Sequence, residues 1–307
     1  MTRNLWHGVL FSLSISIAAA AQAPVAPQPV AIDGAVTHVY KTIGQTELRL
    51  HVFAPAGESA TPRPAAVFFF GGAWTNGVVG QFVPHAKHLA ERGMVAIVAD
   101  YRVFSRHATT AFEGIADAKS AIRWVRSHAK ELRVDPDRIA AGGGSSGGHL
   151  ALSTAVFEVF DQPGEDTRVS SKPNALVLFN PAVDTTHDTP PVLAERFGGR
   201  GAAGSPANHI HRGIPPTVIF HGKADTTVPY TDVERFCAES KKAGNQCQLF
   251  GYDQATHGFF NLSREEGKWY RETVLEMDRF LEKLGYLRRP ESGKADDRSA
   301  SQDRQEL

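Results

Sequence analysis

A serine in a glycine-rich turn, an aspartate and a histidine stand far apart in this chain, yet together they could form a proton relay. Residues 142–150 read Gly-Gly-Gly-Ser-Ser-Gly-Gly-His-Leu and directly follow the apolar run Ile139-Ala140-Ala141. A strand driven into such a turn forces strained backbone angles that hold a serine hydroxyl exposed, and glycines two positions either side let strand and helix pass closely. Both Gly143-x-Ser145-x-Gly147 and Gly144-x-Ser146-x-Gly148 fit this pattern. The first register is favoured, because it puts the turn directly after the strand and leaves the Ser146 amide free at a helix start. A glycine-rich turn without chemistry is the alternative until partners for the serine are found.

Such a hydroxyl needs a base, and the base needs an orienting acid. Asp225 lies just beyond the apolar run Thr217 to Phe220, and His257 lies beyond Gln248 to Tyr252. His257 would take the proton of Ser145 through one ring nitrogen while Asp225 holds the other. Asp184, beyond Ala175 to Phe179, is the reserve acid. Developing negative charge on a substrate oxygen would need N–H donors. Gly72 and Ala73, after the apolar run Ala65 to Phe70, together with Ser146, are the candidates; a plain tight turn with Trp74 in the core is the alternative. The pairs His85/His88 and His209/His211 lack a completing carboxylate or cysteine pattern, so no metal site is assigned.

These residues are useful only if something brings them to one place. Apolar runs at 65–70, 94–99, 139–141, 175–179, 217–220 and 248–252 alternate with helical patterns such as Ile115, Ala118, Ile122, Val125 and Ala129, or Tyr270, Val274, Met277, Leu281 and Leu284. That alternation predicts a parallel sheet covered by helices on both faces, with its site beyond the carboxyl ends of the strands. Val36 to Thr42 and Glu47 to Phe53 read as a hairpin around Gly44, and Ser146 to Phe157 as a helix.

The 307 residues, 42% hydrophobic and 21% charged, suffice for one large core. Lys+Arg and Asp+Glu both number 33, so no basic surface calls for nucleic acid or an anionic membrane. Arg3 precedes an apolar stretch from Leu5 to Ala20, and Ala21-Gln22-Ala23 offers small residues for a signal peptidase. The expected organisation is a signal peptide at 1–23, a proline-rich linker at 24–33, a catalytic domain at 34–290 and a polar, disordered tail at 291–307. The leader is short for a span, carries His7 and runs into prolines, so cleavage after Ala23 and a secreted or periplasmic mature form without a membrane span are expected over an anchor. Cys237 and Cys247, ten positions apart, suit a bridge in an exported protein; two buried free thiols are the alternative.

Taken in order, Phe70-Gly-Gly-Ala-Trp74, Asp100-Tyr-Arg102, Asp135-Pro-Asp-Arg-Ile139, Gly143-Gly-Ser-Ser-Gly-Gly-His-Leu150, Pro215-Pro216, Val228-Pro229 and His257-Gly-Phe259 resemble the α/β-hydrolase esterase/lipase family. Within it the chain is most similar to the branch of acetyl esterases and bacterial feruloyl and acetylxylan esterases, over nearly all of Gly34 to Leu287. The resemblance implies the α/β-hydrolase fold with a mostly parallel sheet of about eight strands, no cofactor, and Arg102 with Asp117 as a structural ion pair. It also exposes two departures: Phe70 where the family usually has a histidine bracing the oxyanion loop, and Gly144 where an acidic residue commonly precedes the serine. Both remove polar anchoring expected beside the site.

The implied activity is hydrolysis of short-chain acyl esters through an acyl-enzyme, with acetyl or feruloyl groups on carbohydrate as the substrate suggested by the branch and by export. A serine peptidase or amidase of the same fold, or an inactive hydrolase-like binding module, are the competing expectations. The connection from Pro181 to Ile214 is the expected substrate wall.

Overall fold

Alternating side chains in Val36–Ile43 (β1) and Thr46–Phe53 (β2) pair antiparallel around Gly44, whose φ of +58° suits the turn. This computed structural model describes residues 27–57, 59–187 and 195–289. The expected leader, the start of the linker and the polar tail lie outside the described residues. The hairpin opens an eight-stranded sheet completed by Arg63–Phe69 (β3), Val95–Ala99 (β4), Val134–Gly144 (β5), Ala175–Phe179 (β6), Thr217–Gly222 (β7) and Cys247–Tyr252 (β8). The order is β1-β2-β4-β3-β5-β6-β7-β8; β4 is antiparallel to β2, and every pair from β4 to β8 is parallel. Most of these central strands are apolar throughout because both faces are covered.

Five helices do most of that covering: Val83–Glu91 (α1), Ala111–Ser127 (α2), Ser146–Val156 (α3), Tyr230–Lys242 (α4) and Lys268–Lys283 (α5). Successive strand residues point to opposite faces. Phe68, paired with Gly142, packs against Phe82 and His85 on the α1 side. Gly143, one residue on, meets the start of α3. On the first face Asp278 of α5 takes His88 of α1 and Arg92 just after it, and the Tyr270 hydroxyl donates to the Pro84 carbonyl. On the second, α2 carries the buried carboxylate of Asp117, which receives two guanidinium bonds from Arg102 and the ammonium of Lys41 at 2.7 Å. The Arg102–Asp117 pair is thus where the resemblance put it, with a further cation added.

Strand β5 is longer than its apolar run. Arg63 pairs with Val134 and Ala65 with Ile139, so residues 135–138 bulge out of the ladder. An Asx turn closes the bulge, with the Asp137 amide on Asp135 and Arg138 held to the same carboxylate. Residues 135–138 are therefore an insertion within a strand rather than the strand's boundary. Cys237 of α4 and Cys247 of β8 are bridged.

Candidate active site

Where β5 meets α3, the backbone at Ser145 has φ 54° and ψ −122°, a left-handed conformation a non-glycine residue adopts only when its surroundings impose it. They do so through three hydrogen bonds. The Ser145 amide donates to the Phe179 carbonyl, while its own carbonyl accepts from the His149 and Ala182 amides. A Cβ at Gly143 would lie 2.5 Å from the Gly147 carbonyl, and one at Gly147 would lie 2.1 Å from the Phe69 carbonyl. Only glycines allow strand and helix this approach. The geometry selects between the two sequence registers: Ser145 is half-buried at the turn, whereas Ser146 is fully buried.

His257 Nε2 lies 3.0 Å from Ser145 Oγ, and His257 Nδ1 lies 2.7 Å from Asp225 Oδ2. A carboxylate can only accept, so Nδ1 carries the proton and Nε2 is free to accept from the serine. The loops bearing acid and base are tied together: the Lys223 amide donates to Tyr252 and the Ala224 amide to Ala255. Burial pushes the Asp225 carboxyl up, but His257 and the Val228 and Thr227 amides outweigh it, leaving it below the usual carboxylate value. His221, 3.4 Å from the same carboxylate, is held down by burial and donates to the Val228 carbonyl.

Asp184, the reserve acid, is placed elsewhere. Its carboxylate takes Arg235 at 2.7 Å and the Thr186 amide and hydroxyl. Asp184, His187 and Asp232 form a close group of ligand-type atoms, but the Arg235 guanidinium already bridges the two carboxylates. His85 sits among aromatic rings and His88 on Asp278.

The loop after β3 approaches the serine from the other side. Gly72, Ala73 and Trp74 have φ of 140°, 53° and 54°, and the Gly72 carbonyl accepts from the Thr75 and Asn76 amides. A Cβ on Gly71 would be 3.2 Å from Ser145 Cβ, so the Gly72 and Ala73 amides begin one residue from the nucleophile's contact. Among the described residues these two amides and that of Ser146, first in α3, have no protein acceptor. Trp74 is both core and loop: its ring packs edge-on to His149 and Phe197, and its indole N–H donates to His149 Nδ1 at 3.3 Å. His149 in turn donates through Nε2 to Gly204; burial, only partly offset by that bond, pulls it down to about 4 and keeps it neutral. Phe197 and Gly204 belong to the connection expected to wall the site, and here they back the Trp74 side of the loop.

Other groups tie down the loop that the Phe70 side chain cannot anchor. Phe70 stacks on Tyr101 at 4.2 Å, and the Tyr101 hydroxyl donates to the Phe70 carbonyl at 2.7 Å. Gln81 accepts from the Gly71 amide at 2.7 Å, and Gln28 bonds both the Gly77 carbonyl and the Val79 amide. At Gly144 no side chain fits, since its Cβ would meet Phe260 at 2.5 Å and Phe82 at 3.3 Å. Sequence reasoning missed Gln81, Gln28, Tyr101, Asn180 and Asn261. Asn180, directly after the run 175–179, Asn261, four residues after His257, and Tyr101, inside a recognised motif, carried some local signal. An open groove of about 620 Å³ runs beside Gly71, between Val78, Gln81 and Pro84 on one side and Asn261 to Ser263 on the other.

A family model described as BD-FAE matches residues 50–187, and a dienelactone hydrolase family model matches residues 194–284. The structure of Thermogutta terrifontis esterase 2 phosphoramylated by tabun is similar at a TM-score of 0.80 and 46% identity, covering 84% of this chain and 97% of that one. The butyrate-bound structure of the same esterase is similar at 0.80 and 44%, with the same coverage. Probable carboxylic ester hydrolase LipM of Mycobacterium tuberculosis is 33% identical over 210 residues, which are 62% of this chain and 48% of that protein. A probable isoprenylcysteine alpha-carbonyl methylesterase of Arabidopsis thaliana is 28% identical over 240 residues, 69% of this chain and 49% of that protein. The chain spans about half the length of the curated relatives it matches.

Proposed function

The chain belongs to the α/β-hydrolase esterases, and on that premise we propose that it is a serine carboxylesterase cleaving short-chain acyl esters. The observation that carries the proposal is the unbroken Asp225–His257–Ser145 relay beside a loop whose amides have no acceptor among the described residues. Ser145 Oγ attacks the ester carbonyl carbon as its proton passes to His257 Nε2, and the imidazolium is stabilised by Asp225. The carbonyl oxygen becomes an oxyanion facing the Gly72, Ala73 and Ser146 amides. Collapse breaks the bond to the alcohol oxygen, which leaves with the proton from His257. Water then gives a proton to His257, attacks the acyl carbon and releases the acid, returning Ser145 to its hydroxyl form.

The groove beside Gly71 is flanked by residues that follow His257, the group that must protonate the leaving oxygen. It therefore suits the alcohol portion of the ester. Its open shape supports a bulky alcohol, and the similarity to the BD-FAE model supports acetyl or feruloyl groups on carbohydrate as the finer substrate class. The match to an esterase solved with propionate and with butyrate supports short acyl groups. Export after cleavage at Ala23 is part of the same proposal, supported by the Cys237–Cys247 bridge, which suits an oxidising compartment.

A panel of p-nitrophenyl acetate, butyrate and octanoate, methyl ferulate, acetylated xylo-oligosaccharide and an aminoacyl anilide tests the reading. The expected result is turnover of acetyl and butyryl esters that Ser145→Ala abolishes. Turnover untouched by that substitution, or a preference for the anilide, would overturn it. Amino-terminal sequencing of the exported mature protein checks the cleavage point.

A further inference from the structure

Resting on the esterase reading, we propose that Gln81 is a positioning residue that locks the oxyanion loop to the loop carrying the catalytic base. Both ends of its amide are used. Oε1 accepts from the Gly71 amide at 2.7 Å, and Nε2 donates to Asn261 Oδ1 at 3.1 Å. Asn261 Nδ2 donates onward to the Gly258 carbonyl at 2.7 Å, and the Gly258 amide donates to Asn180 Oδ1 at 3.1 Å. Gly71 precedes the two oxyanion donors Gly72 and Ala73, and Gly258 follows His257. Through a partner 180 residues away in sequence, this one side chain links the two halves of the catalytic machinery.

The loop needs an external brace because of its own backbone. Ala73 and Trp74 are non-glycine residues at positive φ, which persist only where neighbouring structure over-determines them. Tyr101 fixes the start of the loop through the Phe70 carbonyl, and His149 fixes Trp74. Between these anchors, Gln81 holds the Gly71 amide on its Oε1, and so sets the plane from which the next two amides emerge. The polarity is directional: reversing the Gln81 amide would set N–H against N–H at Gly71 and oxygen against oxygen at Asn261. Hydrogen bonds in a chain of this kind polarise one another, so losing the middle member loosens both ends.

The test is Gln81→Met, which keeps the length and packing of the side chain but removes both bonds, compared with Gln81→Glu, which keeps the acceptor for Gly71. Each is assayed with p-nitrophenyl butyrate and, separately, for its rate of phosphorylation by paraoxon, with thermal midpoints recorded alongside. The expected result for Gln81→Met is a kcat lowered about tenfold to hundredfold, the scale at which a small misplacement of catalytic groups acts. KM should stay within about twofold. Paraoxon phosphorylation should slow in parallel, since it needs the same oxyanion donors, and Gln81→Glu should recover part of kcat. Unchanged kcat overturns the proposal. A raised KM at constant kcat overturns it too, assigning Gln81 to the groove wall as a substrate contact. A fall in kcat matched by a large drop in thermal midpoint, without recovery in Gln81→Glu, leaves only a structural role and likewise overturns it. A wild-type protein that hydrolyses none of the esters refutes the esterase reading itself, an outcome separate from all of these.

Discussion

Gly71 and Ser145 meet so closely that a methyl group on Gly71 would stand 3.2 Å from Ser145 Cβ and 2.9 Å from the Gly144 carbonyl oxygen. The second contact is with backbone at the nucleophile's strained turn, which has no room to yield. Gly71→Ala should therefore push the oxyanion loop outward, or the elbow inward, by a sizeable fraction of an ångström. A loss of about 10² in kcat on p-nitrophenyl butyrate is expected. Full activity in a folded Gly71→Ala protein would mean that the loop's distance from Ser145 is not what limits the reaction.

Gly144 answers the question raised by its departure from the family pattern. The space an acidic side chain would need is filled by the rings of Phe260 and Phe82, which stack at 5.5 Å. Installing the acid, Gly144→Asp, would bury a carboxylate among aromatics without a partner. It should destabilise by about 3 kcal/mol or more, measurable as a lower urea midpoint at unchanged slope. Wild-type stability in that variant would show the aromatic cluster to be softer than its packing implies.

The strands, their parallel character and the three residues of the relay were legible because each rests on a local pattern: an apolar run followed by a chemically capable residue. Asp225 and His257 stand where the switch from strand to loop puts them, and Ser145 is marked by glycines whose contacts with Gly147 and Phe69 explain their presence. What was not legible is tertiary. Asp184 had the same local credentials as Asp225, but Arg235, 51 residues away, claims its carboxylate. Gln81 gains its meaning from Gly71 and Asn261, contacts that no recognisable motif announces. The bulge at Asp135 hid the true start of β5, because its polar residues interrupt the apolar run by which a buried strand is recognised.

The Cys237–Cys247 bridge ties α4 to β8 at the sheet edge next to the acid-bearing strand β7. It closes a short loop, so in the chain-entropy picture its stabilisation is modest, about 2–3 kcal/mol. Replacing both cysteines with serine, or adding a reductant, should lower the denaturation midpoint accordingly. Specific activity at 25 °C should be unchanged, because neither cysteine touches Asp225 or His257. An equal loss of activity and stability would instead tie the α4 edge to the geometry of the relay.

Acid stability should be governed in part by a histidine that takes no part in the reaction. His85 is fully buried, its rings neighbours being Tyr270 at 4.8 Å, Phe82 at 5.0 Å and Phe179 at 5.1 Å, and neither ring nitrogen has a partner among the described residues. Burial, with a smaller contribution from His88, pushes it down to about 3. Above the unfolded value of about 6.5 both states are neutral and the group contributes nothing to the pH dependence. As pH falls below that value the unfolded chain binds a proton that the folded chain refuses, so stability drains away progressively toward pH 3. Between pH 7 and pH 5 the linkage amounts to about 2 kcal/mol for this one side chain. His149, held at about 4, acts with the same sign, and Asp225 follows at lower pH as its carboxylate is protonated. In His85→Leu the difference in unfolding free energy between pH 7 and pH 5 should shrink by about 2 kcal/mol relative to the parent. An identical pH slope in the two proteins would require His85 to take up its proton inside the folded aromatic cluster, where no acceptor for it stands among the described residues.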